Sequence, residues 1–419
     1  MNSIIAKLVF ALACFVAPLL ARGAEVPPGT VLNKANIDAM LGETLEGKTI
    51  RSLLTDHMAW MIRNHGFEMK LDASRPIEVD PRWVEASKRN ASTVTFDPKT
   101  RTPLGWKGGL PFPNIGPGDP HAGDKVAFNT RYGLLEGHSL GQLYIPVYLI
   151  DLGKGIERVQ NWIVMRVHMT GRVGATHPIL GDGTQLARIV TVLTYPQDIR
   201  GIGFFSIRYH DSGRMDDKWV YVSQMRRTRR VSGGGWMDPL GGGTDAIQED
   251  LNVWDAPPTW YPSVKLIRKR WLLAVAHAAQ PVDETKKRTP AEMLQMDVQN
   301  APHFNSRNGW EPREVYEVEV TPAPEHPYGR RMVYIDAQVF QAYHSEIYDK
   351  KGEFWKIVIY ERAPITAVDG FKGFSVLQGR FIDFKRRHAT VWASNYVMND
   401  PKINENTVSV EALEREAGR

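Results

Sequence analysis

The chain has 419 residues, 42% hydrophobic and 24% charged, with a formal net charge of +5 at pH 7. Its 36 Gly and 27 Pro fall well short of the roughly 25–30% share of low-complexity chains, so it can bury a core and is neither disordered nor collagenous. One cysteine excludes a disulfide framework, and so small a charge on so long a chain gives no case for nucleic-acid binding.

The one long apolar run, 8–21, follows Lys7 and ends at Arg22, Gly23 and Ala24. A basic start, an apolar stretch and small residues at its end predict a secretory signal peptide over 1–24; the stretch is shorter than the ~20 residues of a membrane span and contains Pro18. Cleavage there removes Lys7, Arg22 and the lone Cys14, so the mature chain carries a net charge of +3 and no cysteine. An exported chain without thiol chemistry fits the periplasm of a Gram-negative bacterium.

Residues 25–139 read as a mixed helix and loop region. Apolar spacing predicts helices at 37–41 and 53–62, the second stopping at Gly66, while Asp80 and Pro81 open a helix that runs through 89. Turn formers dominate 105–123. From 140 to 419 the period changes to two, predicting strands at 143–149, 162–169, 188–195, 203–209, 218–225, 265–276, 315–320, 331–336, 339–348, 353–360, 374–384 and 389–397. Short turns between successive strands, such as 349–352, favour antiparallel meanders over βαβ crossovers. The expected architecture is a mainly β (α+β) chain, one domain over 25–419, with a large curved antiparallel sheet and helices gathered on one side. A short inserted helix is predicted at 283–300.

Two strings match catalytic motifs but lack their context. GETLEGKT at 42–49 satisfies the P-loop pattern, yet a helix-like segment precedes it and Glu43 and Glu46 would face a polyphosphate. GHSLG at 137–141 satisfies the nucleophile-elbow pattern, but what leaves it alternates like a strand and contains Pro146, so Ser139 reads as a turn residue and a serine hydrolase as the weakest functional reading. The twelve His form no short-range zinc signature, so neither a metal nor a cofactor is expected.

The most distinctive stretch is 199–250. A strand runs into Pro196 to Gly201, a P-x-x-I-R-G turn; Asp217 to Tyr221 reads D-x-W-x-Y, Arg226 to Arg230 reads R-R-x-R-R, and Gly243, Asp245, Asp250 and Leu251 fit G-x-D-x-x-x-x-D-L. With the segments 45–49, 109–113, 121–129, 310–316, 328–336 and 348–356, this order resembles one branch of the LolA/LolB-like lipoprotein-sorting superfamily, the domain-of-unknown-function family thirteen-twenty-nine. The resemblance implies a half-open antiparallel β-barrel with helices on its concave side, around an apolar cavity. It also implies a non-enzymatic periplasmic carrier or adaptor for a lipid or other hydrophobic molecule, working with an inner-membrane exporter of the resistance-nodulation-division (RND/MMPL) type and an outer-membrane protein. A non-ligand-binding assembly factor for an envelope membrane-protein complex is the alternative.

A carrier must shield an acyl chain, with about 0.8 kcal/mol gained per buried CH₂, so one strand face of aliphatic and aromatic groups is required. Candidate wall residues are Val190, Val192, Phe205, Ile207, Tyr209, Trp219, Tyr221, Tyr316, Val318, Trp355, Ile357 and Ile359, although alternation cannot say which face of a strand is concave. Arg226, Arg227, Arg229 and Arg230 could dock an acidic partner or a lipid phosphate, or pair with Asp216, Asp217 or Asp245 across the sheet.

Overall fold

The period-two segments become strands of one sheet in the computed structural model, which describes residues 23–225, 227–231, 235–280 and 295–418. In chain order they are β1 (Ser139–Asp151), β2 (Gly155–His168), β3 (Gln185–Tyr195), β4 (Gly203–Tyr209), β5 (Asp217–Val222) and β6 (Arg227–Val231). After a crossover, described over 235–262, come β7 (Ser263–Ala274), β8 (Gly309–Thr321), β9 (Arg330–Asp336), β10 (Ala342–Tyr348), β11 (Phe354–Thr366), β12 (Lys372–Asp383) and β13 (His388–Ala393). The predicted leader to Arg22, Arg226 and residues 283–294 of the predicted insert lie outside the described residues; Met296–Asp297, near the end of that insert, pairs as a short strand with Asn305–Ser306.

In space the strands run β7-β8-β9-β10-β11-β12-β13-β1-β2-β3-β4-β5-β6, every neighbouring pair antiparallel. The chain thus enters the sheet in the middle, meanders out to β6, crosses to the opposite edge at β7 and meanders back until β13 closes on β1, with Val391 opposite Tyr148. Among the described residues β6 and β7 do not pair, so the barrel is half-open, as expected. Two short N-terminal strands, Val31–Leu32 and Met69–Leu71, extend the sheet beside Gly309 and Trp310.

The helices follow their local signals. Thr55 accepts a hydrogen bond from the Met58 amide to start α1 (Asp56–His65), and Gly66 ends it at φ 65°, the left-handed conformation in which glycine meets no Cβ penalty. Asp80 caps α2 (Pro81–Thr93). α3 (Ala122–Tyr132) reaches from β7, where Gly123 lies against the Val264 carbonyl, to the end of β4, where the Tyr132 hydroxyl donates to the His210 carbonyl at 2.9 Å. α4 (Val410–Gly418) buries Leu413 and Ala417 with Val190, Val192, Phe205 and Tyr221 on one face of β3–β5. α1 packs on that same outer face further round the sheet, where the His57 Nδ1 lies 2.9 Å from the Glu346 carboxylate and the ring stacks on Phe354. These two helices therefore lie opposite the concave side on which helices were expected, a place taken by the crossover.

Strands β8–β13 are largely buried on both faces, and some of their charged residues pair within the sheet: Arg380 donates to Glu361 at 2.8 Å with neither side chain exposed. Gly123 yields a sign test of the α3 contact. A Cβ there would sit 2.2 Å from the Val264 oxygen, so Gly123→Ala, which normally stabilises a helix by ~1 kcal/mol, is expected to destabilise by roughly 1–3 kcal/mol. Thermal melting at or above the wild-type midpoint would contradict the contact.

Candidate functional site

The crossover lies over the inner face of the sheet and is held there by three buried carboxylates. Asp245 accepts from the Thr390 hydroxyl at 2.8 Å and the Arg386 guanidinium at 3.1 Å and lies 2.7 Å from the His388 Nδ1, while its carbonyl takes Lys356 Nζ at 2.7 Å. Glu249 and Asp250 converge on Arg331, which donates to them at 2.7 and 2.5 Å and to the Val253 carbonyl at 2.6 Å. Tyr328 donates to Asp250 at 2.8 Å and Tyr261 to Glu249. Burial works against the charge of Arg331, but the two carboxylates outweigh it and raise its pKa. These are the acids of the G-x-D-x-x-x-x-D-L string and its neighbour.

Between crossover and sheet is a cavity of about 180 Å³. Its apolar wall comes from Ile145 and Val147 of β1, Trp162 and Val164 of β2, Ile189 of β3, Phe204 of β4, Phe381 of β12 and Trp392 of β13, with Trp236, Leu240, Leu251 and Trp260 supplied by the crossover. Its charged lining comprises Arg131 from α3, Glu136, Arg166, Arg208, Asp216, Lys218, Glu249 and Asp255, beside neutral polar residues such as Gln142, Thr191 and Ser206. Arg208 donates to Asp255 at 2.8 Å and lies 3.6 Å from Asp216; burial opposes its charge, and the two acids more than compensate. Burial lowers the pKa of Lys218, with Asp216 acting against it. Among the described residues no group of three or more His, Cys, Asp or Glu is placed to hold a metal.

None of the candidate wall residues lines this cavity. Val190, Val192, Phe205, Ile207, Trp219 and Tyr221 belong to the cluster under α4 on the outer face, and Tyr209 bonds Asp217 at that face's end. Ile357 and Ile359 share the face of Glu346 and His344, their register partners. Val318 faces inward with Val333 and Ser345 but is fully buried; Tyr316 stacks on Phe340, and Trp355 donates to Asp383. The cavity takes the residues one step along: Ile189 and Thr191 instead of Val190 and Val192, Phe204 and Ser206 instead of Phe205 and Ile207, Lys218 instead of Trp219. A one-residue shift reverses every side chain of a strand, and here both faces of β3–β5 are covered, one by a helix and one by the crossover.

Arg227, Arg229 and Arg230 are exposed on β6; Arg230 bonds Asp217, one of the pairings expected, and its guanidinium lies 5.6 Å from the Trp219 ring centre. Ser139, expected in a turn, is instead the first residue of β1, its hydroxyl buried without a partner, and no helix follows it. The P-loop-like string folds as a hairpin, Thr44–Leu45 against Lys48–Thr49.

A family model described as a protein of unknown function (DUF1329) matches residues 31–414. The chain belongs to this family. A structure from Desulfovibrio piger described as a DUF1329 family protein is 18% identical, with 66% of this chain and 92% of that chain covered and a TM-score of 0.44. An outer-membrane lipoprotein-sorting domain structure from Vibrio parahaemolyticus is 14% identical (66% and 92% covered, TM-score 0.45), and a LolA superfamily protein from Nitrosomonas europaea is 12% identical (67% and 93%, TM-score 0.37). No curated protein sequence matches the chain.

The clamp makes two outcomes measurable. Arg331→Met strands Glu249 and Asp250 as buried charges and is expected to cost about 3–5 kcal/mol in chemical denaturation; a loss under about 1 kcal/mol would contradict the clamp. The hydrogen bond to Asp245 raises the His388 pKa above the usual imidazole value, burial opposing it. A group raised on folding stabilises below its unfolded pKa of about 6.5 and loses that contribution as pH climbs through the folded value. Melting curves from about pH 6 to about pH 9 are therefore expected to fall more steeply for the wild type than for His388→Gln.

Proposed function

We propose that this protein is a periplasmic carrier or adaptor for a lipid-like ligand, whose chain occupies the space between the crossover and the inner face of β1–β4. The observation that carries the reading is the apolar wall roofed by Trp236, Leu240, Leu251 and Trp260, which are tied to the sheet by Asp245, Glu249 and Asp250 rather than packed flat upon it. Chain methylenes leaving water for such a wall gain about 0.8 kcal/mol each. Work beside an RND/MMPL-type exporter and an outer-membrane partner is the finer part of the proposal and rests on the family resemblance. Ester hydrolysis through Ser139 is not supported, since its hydroxyl is buried at a strand start.

A second reading, an assembly factor gripping a membrane-protein partner by its sheet edge, draws on one observation: Ile267 and Trp271 are 47% and 40% exposed on β7, an end strand of the sheet. A cross-linked partner recovered with lipid-free protein would favour it.

Native mass spectrometry with solvent extraction of protein purified from the periplasm is expected to find a bound hydrophobic molecule; protein that is always empty and takes up no fluorescent fatty acid would overturn the carrier reading. Uptake also separates the two strand faces. Phe204→Ala, on the cavity side, is expected to weaken uptake by about tenfold, and Ile207→Ala, on the outer side, to leave it unchanged. The reverse pattern would place the ligand under α4.

A further inference from the structure

Arg131 is the least satisfied cation of the cavity. Its side chain is 6% exposed, and its Nε and Nη1 are buried without a hydrogen-bond partner. The nearest acid oxygen, on Asp255, is 3.8 Å away and is already held by Arg208 at 2.8 Å. A guanidinium carries a rigid fork of donors suited to a carboxylate or phosphate, and buried donors are ordinarily used. Two neighbours repeat the pattern: Arg166, ion-paired with Glu136, and Arg208 each keep a buried Nε without a hydrogen bond.

Arg131, Arg166, Arg208 and Lys218 line the cavity with Glu136, Asp216, Asp255 and Glu249, and Glu249 is turned to Arg331 in the clamp, so the acids near Arg131 are already engaged by other cations. Burial pushes the pKa of Arg131 down, with Arg208 adding to the effect and Asp255 opposing it. The same three arginines also line a second, smaller cavity, which places them as a floor between the two spaces. The rest of the lining is mainly the apolar wall, with Thr244, Gln248 and Thr390 among it.

We infer that this floor is an anion subsite in which Arg131 receives the carboxylate or phosphate head of an acyl-chain amphiphile whose chain lies along the apolar wall. The inference rests on the carrier reading and sharpens it to a ligand class: acid-headed, single-headed amphiphiles over neutral lipids of equal chain length. Arg166 and Arg208 hold the acids of the site in place, and Lys218 adds charge from the adjoining strand. A neutral head leaves the Arg131 donors unmade, which is how a buried polar site discriminates.

The test titrates delipidated mature protein with hexadecanoate, hexadecan-1-ol and inorganic phosphate, read by fluorescence of the cavity tryptophans Trp162, Trp236, Trp260 and Trp392. Hexadecanoate is expected to bind at least about tenfold tighter than the alcohol, and Arg131→Met to erase that preference while the alcohol binds as before. Lys218→Met, at a half-buried position, is expected to shrink the preference less and serves where Arg131→Met fails to fold. Phosphate that displaces hexadecanoate but not the alcohol supports the subsite. Equal affinities in the wild type, or equal losses of both ligands in Arg131→Met, would overturn the head-group assignment and leave the carrier reading standing. Binding of neither chain-bearing ligand would overturn the carrier reading itself, and phosphate bound alone would mark a site for a free anion, contradicting the amphiphile.

Discussion

Arg331, buried between Glu249 and Asp250, is the contact on which the rest of the molecule depends. A chain that enters its sheet in the middle and fills one half before the other has to cross from edge to edge, and that crossing passes over the inner face. An apolar crossing would collapse onto the sheet and fill the barrel. Charges fixed at Asp245, Glu249 and Asp250 instead set where the segment can rest, because any shifted position leaves a carboxylate buried without a partner. Such clusters add little net stability compared with apolar packing and much positional definition. The space left between the fixed points is the cavity.

The same constraint explains why β3–β5 have two different apolar faces. The outer face receives α4 and is an ordinary packed core of Val190, Val192, Phe205, Leu413 and their neighbours. The inner face mixes Ile189 and Phe204 with Thr191, Ser206, Arg208 and Lys218, a composition that would be poor as a core and is suited to a lining with one ionic end. The proposed ligand site lies on the less hydrophobic side of these strands.

Much of the fold was legible in the residues. Period-two alternation located the strands, β4 to its ends, and Gly66, Asp80 and Pro81 marked helix boundaries through local hydrogen bonding and backbone preference, whereas the Thr55 cap that starts α1 was passed over by a helix expected from residue 53. Strand β6 was hidden by its arginines, which interrupt the alternation. The site was far less legible, for a physical reason. Alternation identifies two faces and does not label them, and the more hydrophobic face of β3–β5, the natural choice for a wall, is the one a distant helix covers. Arg131 lies on a helix remote in sequence from Arg208 and Lys218, so only the folded chain brings them together. The family string with Asp245 and Asp250 was visible, but its role as a clamp needs partners contributed by β9, β11 and β13.

The central claim is that a hydrophobic ligand lies between the crossover and the inner face of the sheet. Photolabelling with a diazirine-bearing fatty acid, followed by peptide sequencing in a mass spectrometer, tests it most directly. The account predicts label on residues 236–260 of the crossover and on Trp162, Ile189 or Phe204, with α4 unlabelled. Label concentrated on α4 and on Val190 or Phe205, or spread evenly over the surface, would contradict it.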